Sequence, residues 1–302
     1  MKFFLHVMAC AVAWGWLMIP ECVIAQVGNE AKDKLRVLIV DGHNPYHDWQ
    51  VTTPLMKRIL EDSGRFAVDV ATSPPDGADM SGYRPRFADY DVVLGNYNGQ
   101  RWPRETERDF EAFVAGGGGY VCVHAANNAF PEWEAYNRMV GLGGWGGRNE
   151  KWGPYLYFDD EQKLVRDDSP GVGGSHGSQH EYQVRVRDNE HPITRGLPAV
   201  WMHAKDELYD RLRGPAEDLH ILATAYSSPE HKGTGRHEPM LMTLQYGNGR
   251  VFHTALGHAD YSMKCVGFIT TLLRGTEWAA TGDATIGIPD DFPTADEARS
   301  RK

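Results

Sequence analysis

Leu35-Arg-Val-Leu-Ile-Val-Asp-Gly-His43 begins with six nearly continuous apolar residues, stops at Asp41-Gly42 and delivers a histidine. An unbroken apolar run of this length marks a strand buried on both faces, as in a parallel sheet covered by helices. The following segments keep that reading. Thr53 and Pro54 suit a helix N-cap and first position, Leu55, Met56, Ile59 and Leu60 recur at helical spacing, and Gly64 suits the stop. Phe66–Ala71 reads as a second strand, Ser73–Arg86 as a Pro/Gly loop and Tyr90–Leu94 as a third strand. A helix from Pro103, with Phe110, Phe113 and Val114 inward, ends at Gly116–Gly119, and Gly119–Val123 is the fourth strand. The order β-α-β-loop-β-α-β predicts an α/β fold with a doubly wound, mostly parallel sheet and flanking helices.

Beyond this the pattern changes. Glu181–Arg187 alternates, which predicts an antiparallel strand with one wet face. Leu219–Ala225, Met240–Tyr246 and Arg250–Leu256 read as further strands, the last two joined by the tight turn Gly247-Asn248-Gly249. Met263–Leu273 reads as a helix, and from 279 to 302 the chain turns polar and reads as a loosely ordered tail. One domain, residues 35–278, is expected, with antiparallel additions in its second half.

The N-terminus reads as an export signal. Lys2 precedes the apolar run Phe3–Ile19, Pro20 breaks it, and Val23-Ile24-Ala25 offers small-residue cleavage before Gln26. Residues 1–25 are thus a signal peptide and 26–34 a linker, which implies a secreted or periplasmic protein with no membrane insertion after cleavage. The run is short for a membrane span, and Glu21 before Cys22 argues against a lipoprotein site. The net charge is −10, without basic blocks, which excludes nucleic acid and anionic membrane as natural partners. Cys122 and Cys265, the two cysteines left after cleavage, form no disulfide framework and read as small buried apolar residues.

Histidines stand at strand ends. His43 and His47 follow the first strand, His124 the fourth and His258 the last. In an open α/β sheet the carboxyl ends of parallel strands share one ligand-binding edge, and imidazole serves both proton transfer and metal binding. His43 and His47 are four apart, but Pro45 between them argues against a helix that would align them, and His43 is nearer the strand. His253 lies within its strand and reads as packed or supporting. The carboxylates of Asp206 and Glu207, and that of Glu238 ahead of a strand, are candidates to orient a histidine or act as a base. His176 and His180 lie in a Gly-rich segment that reads as a flap or a surface loop, and Trp102, Trp145, Trp152 and Trp201 offer faces for sugar rings or simply packing. There is no Walker phosphate loop or HExxH pair, and the glycine run Gly116–Gly119 lacks the GxGxxG spacing.

Five segments taken together carry a resemblance: Leu35–His43, Gly118-Gly-Tyr-Val-Cys-Val-His-Ala-Ala126, Glu190-His-Pro-Ile-Thr-Arg-Gly-Leu197, Asp206-Glu-Leu-Tyr209 and Gly247-Asn-Gly-Arg-Val-Phe-His-Thr-Ala-Leu-Gly-His258. The chain resembles the ThuA-like (trehalose utilisation) family, whose fold is similar to class I glutamine amidotransferases. In those enzymes a nucleophilic cysteine follows the fourth strand; the matching position here is His124, and the amidotransferase histidine matches His258. Cys122 lies deeper, so the comparison implies that glutaminase activity is absent. The family implies work on a small-molecule carbohydrate, a disaccharide or its keto form.

The leading expectation is therefore an exported carbohydrate-processing enzyme using histidine acid–base chemistry. His124 and His258 are the core pair, Asp206 and Glu207 complete the catalytic set, and His43, His180, Tyr209 and Glu238 contact substrate. Two alternatives stay open. One is a hydrolase dependent on zinc or another divalent metal held by His43, His124 and His258. The other is a non-catalytic carbohydrate-binding domain. Self-association is left open.

Overall fold

A computed structural model of the chain describes Met1 and residues 34–302. The expected signal peptide and nearly all of the linker lie outside the described residues.

Strand β1 (Leu35–Asp41) is buried from Val37 onward. Val37 and Ile39 face one core, with helix residues Leu55, Met56, Ile59 and Leu60; Leu38 and Val40 face a second core on the other side. This two-sided burial is what the continuous apolar run demands. Helix α1 (Trp49–Asp62) starts a turn before the expected Thr53 cap, because the Asp48 carboxylate accepts the Val51 N–H. Pro54 falls inside the helix, and the Thr52 and Thr53 hydroxyls instead accept hydrogen bonds from the Asn96 amide.

The chain continues through β2 (Phe66–Thr72), β3 (Val92–Gly95), α2 (Arg104–Ala115), β4 (Gly119–Val123) and α3 (Glu134–Val140). The middle adds β5 (Tyr155–Phe158), β6 (Leu164–Asp167), β7 (Ser175–His176), β8 (His180–Val186), β9 (Val200–Asp206), β10 (Tyr209–Asp210) and β11 (His220–Tyr226). The hairpin β12 (His237–Tyr246) and β13 (Gly249–Thr254) follows, then α4 (Asp260–Met263) and α5 (Val266–Thr281).

The sheet order is β2-β1-β3-β4-β13-β12-β11-β8-β9. The five strands from β2 to β13 are mutually parallel, and the four from β12 to β9 are antiparallel additions. The β5–β6 hairpin attaches to β12, and β7 with β10 forms a separate ribbon. Residues of α1 and α5 pack in one core, those of α2 and α3 in the other. The expected doubly wound, mostly parallel sheet with antiparallel additions is thus the architecture found, and the carboxyl ends of β1, β3, β4 and β13 share one edge.

Two expectations about the C-terminal region need correction. The helix expected over Met263–Leu273 is divided at Cys265, whose extended backbone bridges to Ser300. The resumed helix runs on to Thr281 and is capped by Gly282 at φ 86°. The tail is also tied down. Arg274 donates to the carbonyls of Pro192, Ile193, Arg195 and Ile286 at 2.6–2.9 Å, and the Glu277 carboxylate accepts from Arg65, Thr285 and Ile286. The polar composition of the tail answers these buried partners instead of indicating disorder. It also explains the Glu190–Leu197 segment, whose carbonyls Arg274 collects.

Arg274→Met should leave four carbonyls, that of Ile193 buried, without this donor and cost about 3 kcal/mol. Thermal unfolding should shift down by several degrees, and limited proteolysis should release fragments cut beyond residue 282. An unshifted transition with a protected tail would contradict this account.

Candidate functional site

Four side chains meet above the sheet edge. One ring nitrogen from each of His47, His124 and His258 and a Glu207 carboxylate oxygen all lie within 4.8 Å of one another. Glu207 Oε2 is 3.1 Å from His258 Nδ1, 3.7 Å from His124 Nε2 and 3.9 Å from His47 Nε2. The last two separations exceed a hydrogen bond.

Each ring is aimed by its own stretch of chain. His124 follows β4 and takes φ 45°, a sharp elbow that lifts the ring out of the strand line. Its Nδ1 lies 2.7 Å from the Ala255 carbonyl oxygen, which can only accept, so Nδ1 carries the proton. In the neutral ring Nε2 is then a bare lone pair, buried and without a hydrogen-bond partner. His47 is held similarly by Nδ1 against Asn44 Oδ1 at 2.9 Å. Burial first, then the neighbouring His124 and His258, lowers its pKa to about 2, so the ring is neutral. His258 follows Gly257, whose φ of 105° and contact with the Phe268 ring exclude a side chain there.

Asp206 and Glu207 divide the work. Fully buried Asp206 pairs with His203 Nε2 at 2.8 Å and accepts the backbone N–H groups of Gly257 at 2.8 Å and His258 at 3.0 Å. It therefore positions the turn that carries His258. Glu207 points into the cluster. Burial alone would raise its pKa, but His124 and His258 outweigh that and hold it well below the usual carboxylate range. Three imidazole nitrogens and a carboxylate oxygen thus converge, with the Tyr209 hydroxyl 3.3 Å from His47 Nε2, an arrangement whose donor set fits a cation.

His47 and Glu207 of the cluster line a cleft of about 790 Å³, with Tyr46, Phe130, Trp145, Tyr209, the Asn98 and Asn128 amides and His176 also on its walls. No Lys or Arg is among its lining residues. Tyr209 stacks on His124 with centroids 3.9 Å apart, and Trp145 packs against Tyr209 at 4.7 Å. Cys122, beneath the elbow, is fully buried and its thiol is pushed up by desolvation, the opposite of an activated nucleophile.

The chain matches the family model described as trehalose utilisation over residues 36–279. Among solved structures it is similar to a ThuA-like protein from Parabacteroides merdae, at 52% identity and TM-score 0.86, over 89% of this chain and 98% of that one. A ThuA-like protein from Bacteroides uniformis is 20% identical with TM-score 0.57, over 86% of this chain and 96% of that one, which shows a shared fold. No curated protein matches.

Of the residues singled out in the sequence, His124, His258, Glu207 and Tyr209 come together, with Asp206 behind them. His43 does not join them: it pairs with Asp76 at 3.2 Å, and His47 occupies the place expected for it. The turn after β1, closed by the His47 N–H on the Asn44 carbonyl, brings the second histidine inward. His180 turns away, with Nδ1 on the Ser178 carbonyl and its ring stacked on His231 at 3.6 Å. His253 is a satisfied core residue between Val140 and Asn127, and His203 is buried behind the site.

Glu238 is also absent from the cleft. It is buried and accepts from the Thr234 hydroxyl, and burial above all raises its pKa from 4.5 to about 7. Its neutral form is favoured in the folded chain, so the associated stability is full below about pH 4.5 and lost as pH rises through 7. Glu238→Gln should therefore be more stable than the parent at pH 8 by about 1–3 kcal/mol, with little difference at pH 4.5. Denaturant unfolding at the two pH values checks this; an equal difference at both would refute the assignment.

Proposed function

This chain belongs to the ThuA (trehalose utilisation) family, and from that premise we propose that it is an exported, metal-dependent enzyme acting on a neutral disaccharide or its keto form. The observation that carries the proposal is the convergence of three imidazole nitrogens on the Glu207 carboxylate, two of the rings being locked through their other nitrogen. Such second-atom hydrogen bonds fix the tautomer and direction of a metal-binding histidine.

The residues fit a zinc-like divalent ion held by His47, His124, His258 and Glu207. The orphaned, buried Nε2 of His124 has no other account in the structure. An ion there would supply Lewis acidity toward a substrate oxygen and activate bound water. The chain's own groups supply the rest. Trp145, Tyr46 and Phe130 offer apolar faces for sugar rings, and the amides of Asn98 and Asn128 offer hydroxyl partners. A lining without Lys or Arg favours an uncharged sugar over a phosphorylated one. The raised thiol of Cys122 speaks against glutaminase chemistry. Export is supported by the N-terminal pattern Lys2 to Ala25, and no helix among the described residues is long and apolar enough to cross a membrane.

Gently purified protein should hold about one equivalent of zinc or a similar ion. His124→Ala and Glu207→Ala should each lower metal affinity at least about tenfold. Turnover of a keto-glucoside should vanish with a chelator and return with zinc. Elemental analysis without metal, and zinc-independent turnover, would sink the metal assignment; sugar binding without turnover by the zinc-loaded protein would make it a binding domain.

Trp145→Ala, at the cleft wall, should raise KM about tenfold, the equivalent of about 1.4 kcal/mol, with zinc content unchanged. An unaltered KM would remove the indole from the sugar-binding surface.

A further inference from the structure

The two oxygens of Glu207 have different neighbours. Oε2 faces the three converging histidines. Oε1 accepts from the Gln179 amide at 3.3 Å. His176 Nε2, 3.7 Å from the same oxygen, is beyond hydrogen-bond reach. The amide of Gln179 is itself oriented. The Tyr261 hydroxyl donates to its oxygen at 2.7 Å, and an ionised carboxylate can only accept, so the NH2 group is the end that meets Glu207.

The backbone places both partners. His180 pairs with Asp206 in the β8–β9 ladder, so Gln179 and Glu207, one step beyond on either strand, stand side by side. The loop before Gln179 is pinned as well. The Ser178 N–H donates to the His231 carbonyl at 2.9 Å, and a side chain on Gly177 would collide with that same oxygen. Tyr261 rides on α4, the turn that begins directly after His258. The Ser262 hydroxyl closes this turn on Ala259, accepting its N–H at 3.0 Å and donating to its carbonyl at 2.8 Å. The contacts therefore form a ring. Glu207 Oε2 meets His258 Nδ1 at 3.1 Å, and Glu207 Oε1 returns through Gln179 to Tyr261, on the turn that His258 leads into.

We propose that Gln179, backed by Tyr261, decides which divalent ion the cluster takes; this rests on the reading of the cluster as a metal site. With Oε1 engaged by the amide, Glu207 offers an ion one oxygen. The neighbouring Asp206 offers none, because His203 and three backbone N–H groups occupy its oxygens. Three imidazole nitrogens and one oxygen make four donors, the number and kind that zinc takes. A Glu207 freed from Gln179 can turn both oxygens inward. That fifth donor favours an ion that prefers oxygen and higher coordination, such as manganese(II). Gln179 and Tyr261 lie outside the four-residue group and act on it through Glu207, so they are positioning residues.

The test compares zinc and manganese(II) affinities of the metal-free full chain, by competition titration, in the parent, Gln179→Leu and Tyr261→Phe. Gln179→Leu keeps the bulk and removes the donor. Its zinc affinity should fall about tenfold while manganese(II) affinity holds or rises, so the preference for zinc falls by at least about tenfold. Tyr261→Phe loses one hydroxyl from a side chain already 40% exposed, and should lower the same preference about threefold. A purely structural role would weaken both ions alike. A preference unchanged in Gln179→Leu therefore overturns the proposal, even where both affinities drop. If that variant does not fold, an unchanged preference in Tyr261→Phe overturns it. A parent protein that binds neither ion defeats the metal reading itself, and this inference with it.

Discussion

The site depends on one buried carboxylate. Asp206 ends β9, four strands removed from β13 in the sheet order, yet it accepts the N–H groups of Gly257 and His258 just beyond β13. The antiparallel half of the sheet therefore bends until its far strand meets the ligand edge of the parallel half. Burying a carboxylate is costly unless its oxygens are satisfied. Here His203 Nε2, two backbone N–H groups and the N–H of Glu207 satisfy them. This link brings Glu207 to histidines carried by β1, β4 and β13. A parallel sheet alone would present three imidazoles and no carboxylate.

The inner cluster runs against ordinary folding economy. Lone pairs facing one another in a buried space repel, and the Tyr209 hydroxyl, 3.3 Å from His47 Nε2, supplies a donor to one of them. The fold directs protons outward, from His124 Nδ1 to Ala255 and from His47 Nδ1 to Asn44. Burial further suppresses protonation of His47. An ion that bound only the folded chain here would shift the folding equilibrium toward it.

Local patterns were legible wherever a segment's fate depended on its own residues. The β1 run, the Gly119–Val123 strand and the Gly247–Gly249 hairpin are of this kind, and so are His124 and His258, placed by strand ends. What escaped depends on partners. His43 and His47 flank a turn, and only the Asn44 contacts decide which ring faces inward. Asp206 and Glu207 are adjacent, so their opposite directions follow from the register of β9 against β8, not from composition. The short strands β5, β6, β7 and β10 carry mixed patterns and form because the β5–β6 hairpin reaches β12 and Ser175–His176 reaches Tyr209–Asp210. His176 had a usable signal, a histidine within a glycine cluster, but its distance to Glu207 needed the fold. The alternation of Trp201 and His203 ahead of Asp206 was the one overlooked clue to β9.

Backbone strain and charge explain how such a cleft stays open. His124, Phe130 and Trp145 all take positive φ, at 45°, 49° and 52°, which costs free energy and persists only when neighbours enforce it. The enforcement comes from two buried arginines. Arg148 donates to the carbonyls of Asn128, Ala129 and Gly144 at 2.8–2.9 Å. Arg213 donates to those of Gly153 and Gly171 at 2.8 and 2.9 Å. Neither is paired with a carboxylate among the ion pairs of the described residues. Carbonyl partners spread the guanidinium charge over the loops and fix their path. A nearby carboxylate would have met the same charge but would also have competed with Glu207 for a cation. Holding these loops by carbonyls leaves Glu207 as the one carboxylate among the residues lining the cleft.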